Sequence, residues 1–246
     1  MFGEQYLLSI RIKPGISLEK GYPFSIPVVQ NLIHRKELSL SAPITFLVGE
    51  NGTGKSTLLE AIAIAYGFNP EGGTRNFRFS TKETHSGLYK YLVLTRGIHL
   101  AKDGFFLRAE SFYNVSSEID TLDETDGKLL RSYGGKSLHR YSHGESFLTL
   151  VRERFGGEGL YLLDEPESAL SPTGQFALIS AMGDLLKKRS QFIIATHSPI
   201  LLSFPGAVIY QLSEEGIQQV TYEQTQHYQL TRRFLENPKR FLDCLL

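Results

Sequence analysis

One octapeptide restricts this chain more than any other feature. GENGTGKS, Gly49 to Ser56, satisfies the spacing G-x-x-x-x-G-K-[ST]. It follows ITFLVG (44–49), a compact apolar run that reads as a buried strand. It precedes STLLEAIAIAY (56–66), whose Ala- and Leu-rich helical spacing predicts a helix ending near Gly67. A strand, a glycine-rich turn and a helix in that order commit the fold to an α/β sheet with an anion cradle at its edge. Gly49, Gly52 and Gly54 let backbone N–H groups close around phosphate oxygens. Glu50, Asn51, Thr53 and Thr57 complete the candidate phosphate-binding segment, Lys55 is placed to reach the β/γ-phosphates, and Ser56 to offer its hydroxyl to Mg²⁺. Alone, the motif implies a nucleoside triphosphate and leaves the reaction open.

The rest of the chain supplies a matching pattern. Strands are predicted at 6–12, 88–97, 103–110, 159–166, 191–199 and 207–212, with 88–97 and 103–110 reading as a strand pair. Residues 69–87 read as a loop or small insertion, and 114–140 as the irregular, helical part of a subdomain. Amphipathic helix is predicted at 144–155, and a helix capped by Ser171 with Pro172 at its first position follows to about Lys188. The tail predicts two short helices, the second opened by Asn237 and Pro238, with Tyr228, Phe234, Leu235, Phe241 and Leu245 as an apolar face. Alternating strands and helices imply a largely parallel, doubly wound sheet in one domain of 246 residues.

A second acidic motif completes the chemistry. LYLLDEP (160–166) is a buried strand that delivers Asp164 to its C-terminal end, where ligands collect in open α/β sheets. Asp164 can hold Mg²⁺ beside Ser56, and Glu165 is placed to polarise an attacking water. His197, in ATHSP (195–199), ends another buried strand and can contact the γ-phosphate. In RYSHGES (140–146), Ser142 reads at its simplest as a helix N-cap with Glu145 closing a capping box.

The order of these motifs resembles the ATP-binding-cassette (ABC) superfamily: phosphate loop, Ser-x-Gly-[Gln/Glu] before a helix, LLDEP, an ALS turn and a strand ending in THS. The 22 residues from Ser142 to Asp164 leave room for one helix and a turn. The resemblance implies a P-loop NTPase fold of ABC type: a mostly parallel sheet, an antiparallel β part and a small helical subdomain at about 112–157. It implies ATP and Mg²⁺ as ligands, catalytic roles for Lys55, Glu165 and His197, and a signature segment, Ser142, His143, Gly144 and Glu145, that binds the γ-phosphate held by a second subunit. The signature usually reads Leu-Ser-Gly-Gly-Gln, whereas here it is Tyr-Ser-His-Gly-Glu, and the usual Leu-Asp turn is Leu170-Ser171-Pro172. Glu110 stands where a glutamine is usual and is a further candidate for Mg²⁺ or its water. Tyr22 and Phe24 are candidates for stacking on adenine, with core packing the alternative for both. YPFSIP, GFNPEGGTRNF, FFLRAESF, SHGESF and LYLLDEPESALSP together are similar to small stand-alone bacterial ATPases whose cellular role is unassigned.

Four functions fit such a domain: an ATP-dependent homodimer switching an unidentified partner, the nucleotide-binding subunit of a membrane transporter, a DNA-repair or defence-type ATPase head, and a non-hydrolysing nucleotide scaffold. The step of 86 residues from Ser56 to Ser142 contains no heptads and is too short for long coiled-coil arms. Lys+Arg and Asp+Glu both number 26, so net charge gives nucleic-acid binding no support beyond local groups such as Arg75/Arg78 or Lys187/Lys188/Arg189. No apolar run approaches membrane-spanning length, and no leader is visible in MFGEQYLLSIRIKPG. The single Cys244 precludes an internal disulfide and fits a cytoplasmic setting.

Overall fold

The computed structural model describes residues 5–16, 21–75, 86–108, 112–126, 130, 133, 135–243 and 245. In chain order the elements are β1 (Leu7–Ile12), α1 (Pro27–His34), β2 (Leu38–Ser39), β3 (Ile44–Gly49), α2 (Lys55–Tyr66), β4 (Leu92–Arg96), β5 (Asp103–Arg108), α3 (Phe112–Asp126) and α4 (His143–Arg154). Then follow β6 (Gly159–Asp164), α5 (Pro172–Lys187), β7 (Gln191–Ala195), α6 (Pro199–Leu202), β8 (Val208–Leu212), β9 (Ile217–Val220), α7 (Gln226–Glu236) and α8 (Pro238–Leu242).

Six strands form one sheet in the order β5-β6-β7-β3-β8-β9, parallel except for β9, and three form an antiparallel sheet in the order β2-β1-β4. The large sheet is covered on both faces, so its central strands are apolar throughout: every residue of β3, β6 and β7 is buried. Alternate side chains feed two cores. Leu47, Leu162 and Ile193 pack with α1, α2 and β1, while Phe46, Tyr161 and Phe192 pack with α3, α4 and α5. Because the parallel strands share a direction, β3, β6 and β7 end at one edge, and they carry Gly49, Asp164 and Ala195 there.

Gln191 joins the two sheets from a fully buried position. Its amide oxygen accepts from the N–H groups of Tyr6 and Leu7, both at 2.9 Å, and its amide nitrogen donates to the carbonyls of Leu7 at 2.8 Å and Leu40 at 2.6 Å.

The predicted strand pair does not form. Residues 87–91 make a 3₁₀ turn, and β4 then pairs antiparallel with β1, Leu94 opposite Ile10. β5 pairs parallel with β6, Phe105 opposite Tyr161. The reason lies in burial: the middle of β5 is buried on both faces and suits a covered sheet, whereas β4 is exposed toward its end. Helix α1, β2 and edge strand β9 were not foreseen; Pro27 opens α1, and Val28, Val29 and Leu32 form its buried face. The caps of the later helices agree with the sequence: Ser171 accepts from Gly174 N–H at 3.2 Å, and Asn237 from Arg240 N–H at 3.0 Å.

Candidate active site

Two of the loop glycines are fixed by space as well as by backbone angle. Gly49 has φ +154°, and a Cβ there would lie 2.3 Å from the Leu212 carbonyl oxygen. Gly54, at φ +96°, would place a Cβ 2.4 Å from the Ile26 side chain. The loop is braced by Thr53, whose hydroxyl donates to the Glu50 carbonyl at 2.8 Å, and by the Val28 N–H, which donates to the Thr53 carbonyl at 3.2 Å. Lys55 is buried and donates to the carbonyls of Gly49 at 2.8 Å and Glu50 at 3.0 Å. Burial lowers its pKa, and the carboxylates of Glu165, Asp164 and Glu167 oppose that. Thr57 is half-buried in the first turn of α2, and Asn51 and Gly52 are exposed.

Across 108 residues of sequence, the Ser56 hydroxyl donates to Asp164 Oδ1 at 2.9 Å. Arg108, at the end of β5, donates to Glu60 Oε2 at 2.7 Å and lies 3.6 Å from Asp164 Oδ2. Glu60 is buried within α2, and its other carboxylate oxygen accepts from Ser86 N–H at 3.0 Å. A buried carboxylate needs such partners. Ser56 and Asp164 present hard oxygen donors beside a phosphate loop, which fits Mg²⁺, an ion that completes its shell with water and phosphate oxygens. Among the described residues no group of three or more His, Cys, Asp or Glu could cage a metal. Glu110 lies outside the described residues.

After Asp164 the chain turns sharply. Glu165 has φ +48° and ψ +53°, a left-handed conformation that costs a non-glycine residue about 1–2 kcal/mol. The turn is held because Glu165 N–H donates to the Ala195 carbonyl at 2.9 Å and its carbonyl accepts from the Ser168 hydroxyl at 2.8 Å. Its carboxylate, left partly exposed, lies 3.6 Å from His197 Nε2. The His197 N–H donates to Glu167 Oε1 at 2.5 Å, and burial raises the Glu167 pKa against the pull of that bond. His197 Nδ1 meets Nε2 of His227, in the first turn of α7, at 3.1 Å. Burial, then the nearby Lys55 charge, lowers the pKa of both imidazoles. Gln226, beside His227, donates to Glu50 Oε1 at 3.2 Å.

The signature segment stands apart. Ser142 caps α4: its hydroxyl accepts from Glu145 N–H at 3.4 Å and donates to Glu145 Oε2 at 2.7 Å, and that same oxygen accepts from Ser142 N–H at 3.0 Å. These bonds hold the exposed Glu145 carboxyl below its usual pKa. The His143 ring packs edge-on to Phe112 at 5.5 Å between centroids, and a Cβ on Gly144 would lie 3.0 Å from the Ala169 carbonyl oxygen. So α4 approaches closely the turn that follows Glu165.

Of the adenine candidates, Phe24 is buried edge-on to Tyr91, with ring centroids 4.9 Å apart, while Tyr22 is 66% exposed. The core alternative thus holds for Phe24 and not for Tyr22. Among the local basic groups, Lys187 pairs with Asp184 at 2.8 Å, Arg189 with Glu158, and Arg75 donates to the Ala101 carbonyl at 2.6 Å. Arg78 lies outside the described residues. Arg108, Glu60, Glu167, Gln226 and His227 were missed by sequence reasoning. Glu167 lies inside a recognised motif, and Glu60 is an acid on an otherwise apolar helix; nothing around His227 marks it.

Residues 29–137 match the family described as "AAA domain", and residues 137–203 match "AAA domain, putative AbiEii toxin, Type IV TA system". An uncharacterized ABC transporter ATP-binding protein of Haemophilus influenzae is 26% identical over 200 residues, covering 72% of this chain and 72% of its own length. The uncharacterized ABC transporter ATP-binding protein YxlF of Bacillus subtilis is 28% identical over 162 residues, which cover 61% of this chain and about half, 52%, of that relative. CbiO1 of Clostridium perfringens, described as part of the ABC transporter complex cbiONQ, superposes with a TM-score of 0.51 at 16% identity, covering 98% of this chain and 100% of its own. The chain has the fold of an ABC-type P-loop domain. The mixed sheet of this ABC-type domain, with its phosphate loop between β3 and α2, is the fold those neighbours share. Among its described residues no helix is long and apolar enough to cross a membrane.

Proposed function

We propose that this ABC-type domain binds ATP with Mg²⁺, hydrolyses it slowly, and closes as a homodimer around two ATP molecules to act as a switch on a protein partner. The observation that carries the reading is the contact of Ser56 with Asp164 at 2.9 Å, with Glu165 next in the chain and His197 3.6 Å from it. In this reading the backbone from Gly49 to Thr57 cradles the phosphates, and Lys55 supplies charge to the β/γ-phosphates. Ser56 and Asp164 would hold Mg²⁺, which neutralises charge on the phosphates. Glu165 accepts a proton from the water that attacks the γ-phosphorus as the bond to ADP breaks. His197 holds the water and γ-phosphate in line. Ser142, His143, Gly144 and Glu145, at the head of α4 in a helical subdomain spanning about 112–157, reach the γ-phosphate bound by the second copy through hydroxyl, N–H and helix dipole. A cytoplasmic setting belongs to this reading, because ATP and Mg²⁺ are supplied there.

A transporter subunit is the second reading, supported by the relatives named as ABC transporter ATP-binding proteins. Against it, the chain has no glutamine between Gln30 and Gln175, the interval where a coupling glutamine is usual. Phosphate release from ATP and Mg²⁺ by the purified protein tests hydrolysis, and light-scattering mass with nucleotide tests closure. Hydrolysis no faster than that of Glu165→Gln would sink the first arm. Recovery of the chain with membranes in fractionated cells would move the choice to a transporter.

A further inference from the structure

Two imidazoles meet at the heart of the site, and the hydrolysis reading uses only one of them. His227 comes from α7, 30 residues after His197, on a segment that contributes no recognised motif. Thr225, fully buried, caps α7 by accepting from Tyr228 N–H at 3.4 Å, and Gln226 ties the same turn to Glu50 of the phosphate loop. The head of α7 is therefore anchored on the loop, although none of the residues of α7 itself is buried.

One placement of the protons suits both rings. A short contact between two neutral imidazole nitrogens needs one donor and one acceptor. Nε2 of His227 faces His197, which leaves Nδ1 to donate toward the nearby Gly49 carbonyl. With its proton on Nδ1, a neutral His227 presents a lone pair at Nε2. His197 must then donate from Nδ1, and its Nε2 becomes a lone pair. That atom is buried, makes no hydrogen bond among the described residues, and lies 3.6 Å from Glu165 Oε1.

We propose that His227 is a positioning residue for ATP hydrolysis: it fixes the tautomer and ring orientation of His197, so that the Nε2 lone pair accepts from the attacking water beside Glu165, and thereby makes α7 part of the catalytic apparatus. The chain of contacts runs from the Gly49 carbonyl to His227 and on to His197, so the phosphate loop also sets the nitrogen aimed at the attacking water. An orienting partner on the far nitrogen of a catalytic imidazole is a recurring device, and here it comes from an imidazole in place of a carboxylate.

The proposal rests on the hydrolysis reading for its rate arm only; the tautomer arm stands without it. The test uses the full chain and its His227→Ala, His227→Gln, His197→Ala and double His197→Ala/His227→Ala variants. His227→Ala should lower kcat about tenfold, as loss of an orienting partner does, with ATP affinity unchanged within twofold. His227→Gln should recover most of the rate, because its amide can donate to Gly49 and accept from His197. The double variant should be no slower than His197→Ala alone. Imidazole ¹⁵N shifts of ¹⁵N-histidine-labelled protein should place the His197 proton on Nδ1 in the native chain and in His227→Gln, and shift it toward Nε2 in His227→Ala. A native His197 protonated on Nε2 alone overturns the proposal whether or not ATP is hydrolysed. So does an equal loss of rate from His227→Ala with and without His197. A native chain that fails to hydrolyse ATP, yet shows the Nδ1 tautomer and its loss in His227→Ala, defeats the hydrolysis reading and leaves the histidine pair standing.

Discussion

The phosphate-loop cluster and the signature turn are both polar sites at helix N-termini, and they are built in opposite ways. Around Lys55, Ser56 and Asp164 the groups are buried or half-buried: Lys55 bonds back to its own loop, while Ser56 and Asp164 bond across 108 residues of chain. Around Ser142 the side-chain bonds close on Glu145, three residues away, and both residues are exposed. A cluster tied together by distant segments is preorganised by the whole fold, and its geometry costs nothing further when a ligand arrives. A local cap holds only its own turn. The start of α4 keeps the positive end of the helix dipole, which favours an anion brought by a second molecule. On the homodimer reading proposed above, one half of the site is furnished within the chain, and the other acts only when another copy approaches.

The largest expected effect separates the halves directly. Glu165→Gln keeps the shape of the side chain and removes the base, so kcat should fall roughly 100- to 10,000-fold while ATP still binds. With Mg²⁺ and ATP the variant should double its light-scattering mass. A variant that binds ATP and stays monomeric breaks the second half of the comparison, because the turn at Ser142 then completes no site in another copy. Lys55→Ala comes next. Losing a charge-assisted contact should weaken ATP binding roughly 10- to 150-fold, measured by calorimetry on protein whose thermal unfolding shows an intact fold. Affinity within twofold of the native value would show that the buried ammonium serves only the Gly49 and Glu50 carbonyls.

A smaller effect probes the exposed half. Ser142→Ala and Glu145→Ala both open the capping box, but only the first removes the hydroxyl. Ser142→Ala should lower the hydrolysis rate about tenfold more than Glu145→Ala does, and should shift the dimer formed by Glu165→Gln toward monomer. Equal effects on rate and mass would mean that the turn is a helix cap and nothing more. Neither variant should change the affinity of the monomer for ATP.

How much of this was legible in the sequence follows the same division. The phosphate loop, its strand and its helix could be read because the chemistry is local: the glycines at 49 and 54 are where a Cβ would strike Leu212 or Ile26. The strand carrying Asp164 was legible because a fully buried parallel strand is apolar throughout. Strand partners were not legible. β4 and β5 are adjacent in sequence and lie in different sheets, and periodicity says which face is buried without saying against what. His227 was invisible for a related reason. Its part depends on where Thr225 and Gln226 dock the head of α7, a tertiary contact with no local pattern. Arg108 and Glu60 belong to the same class, since 48 residues separate them and neither carries a motif.

The smallest effect expected at the site comes from a residue outside both halves, and that makes it the control for the comparison. Gln191 lies at the start of β7, at the opposite end from the residues that reach the site, and both polar atoms of its side chain bond to the segment entering the small sheet and the one leading to β3. Gln191→Met matches its length and removes its amide. Two N–H groups and two carbonyls are then left in a buried junction, each with a desolvation penalty of about 1–3 kcal/mol unless the backbone shifts to reach water. A net loss of about 3 kcal/mol should lower Tm by roughly 6–12 °C in a protein of this size. Below that temperature, ATP affinity and the nucleotide-dependent mass of the Glu165→Gln background should stay as they were. If joining the sheets also sets the phosphate loop, affinity will fall together with Tm, and preorganisation of the buried half will extend through Gln191 into the second sheet. If Tm falls alone, the geometry at Gly49, Lys55 and Asp164 is fixed by the parallel sheet and α2, and the antiparallel sheet contributes only stability.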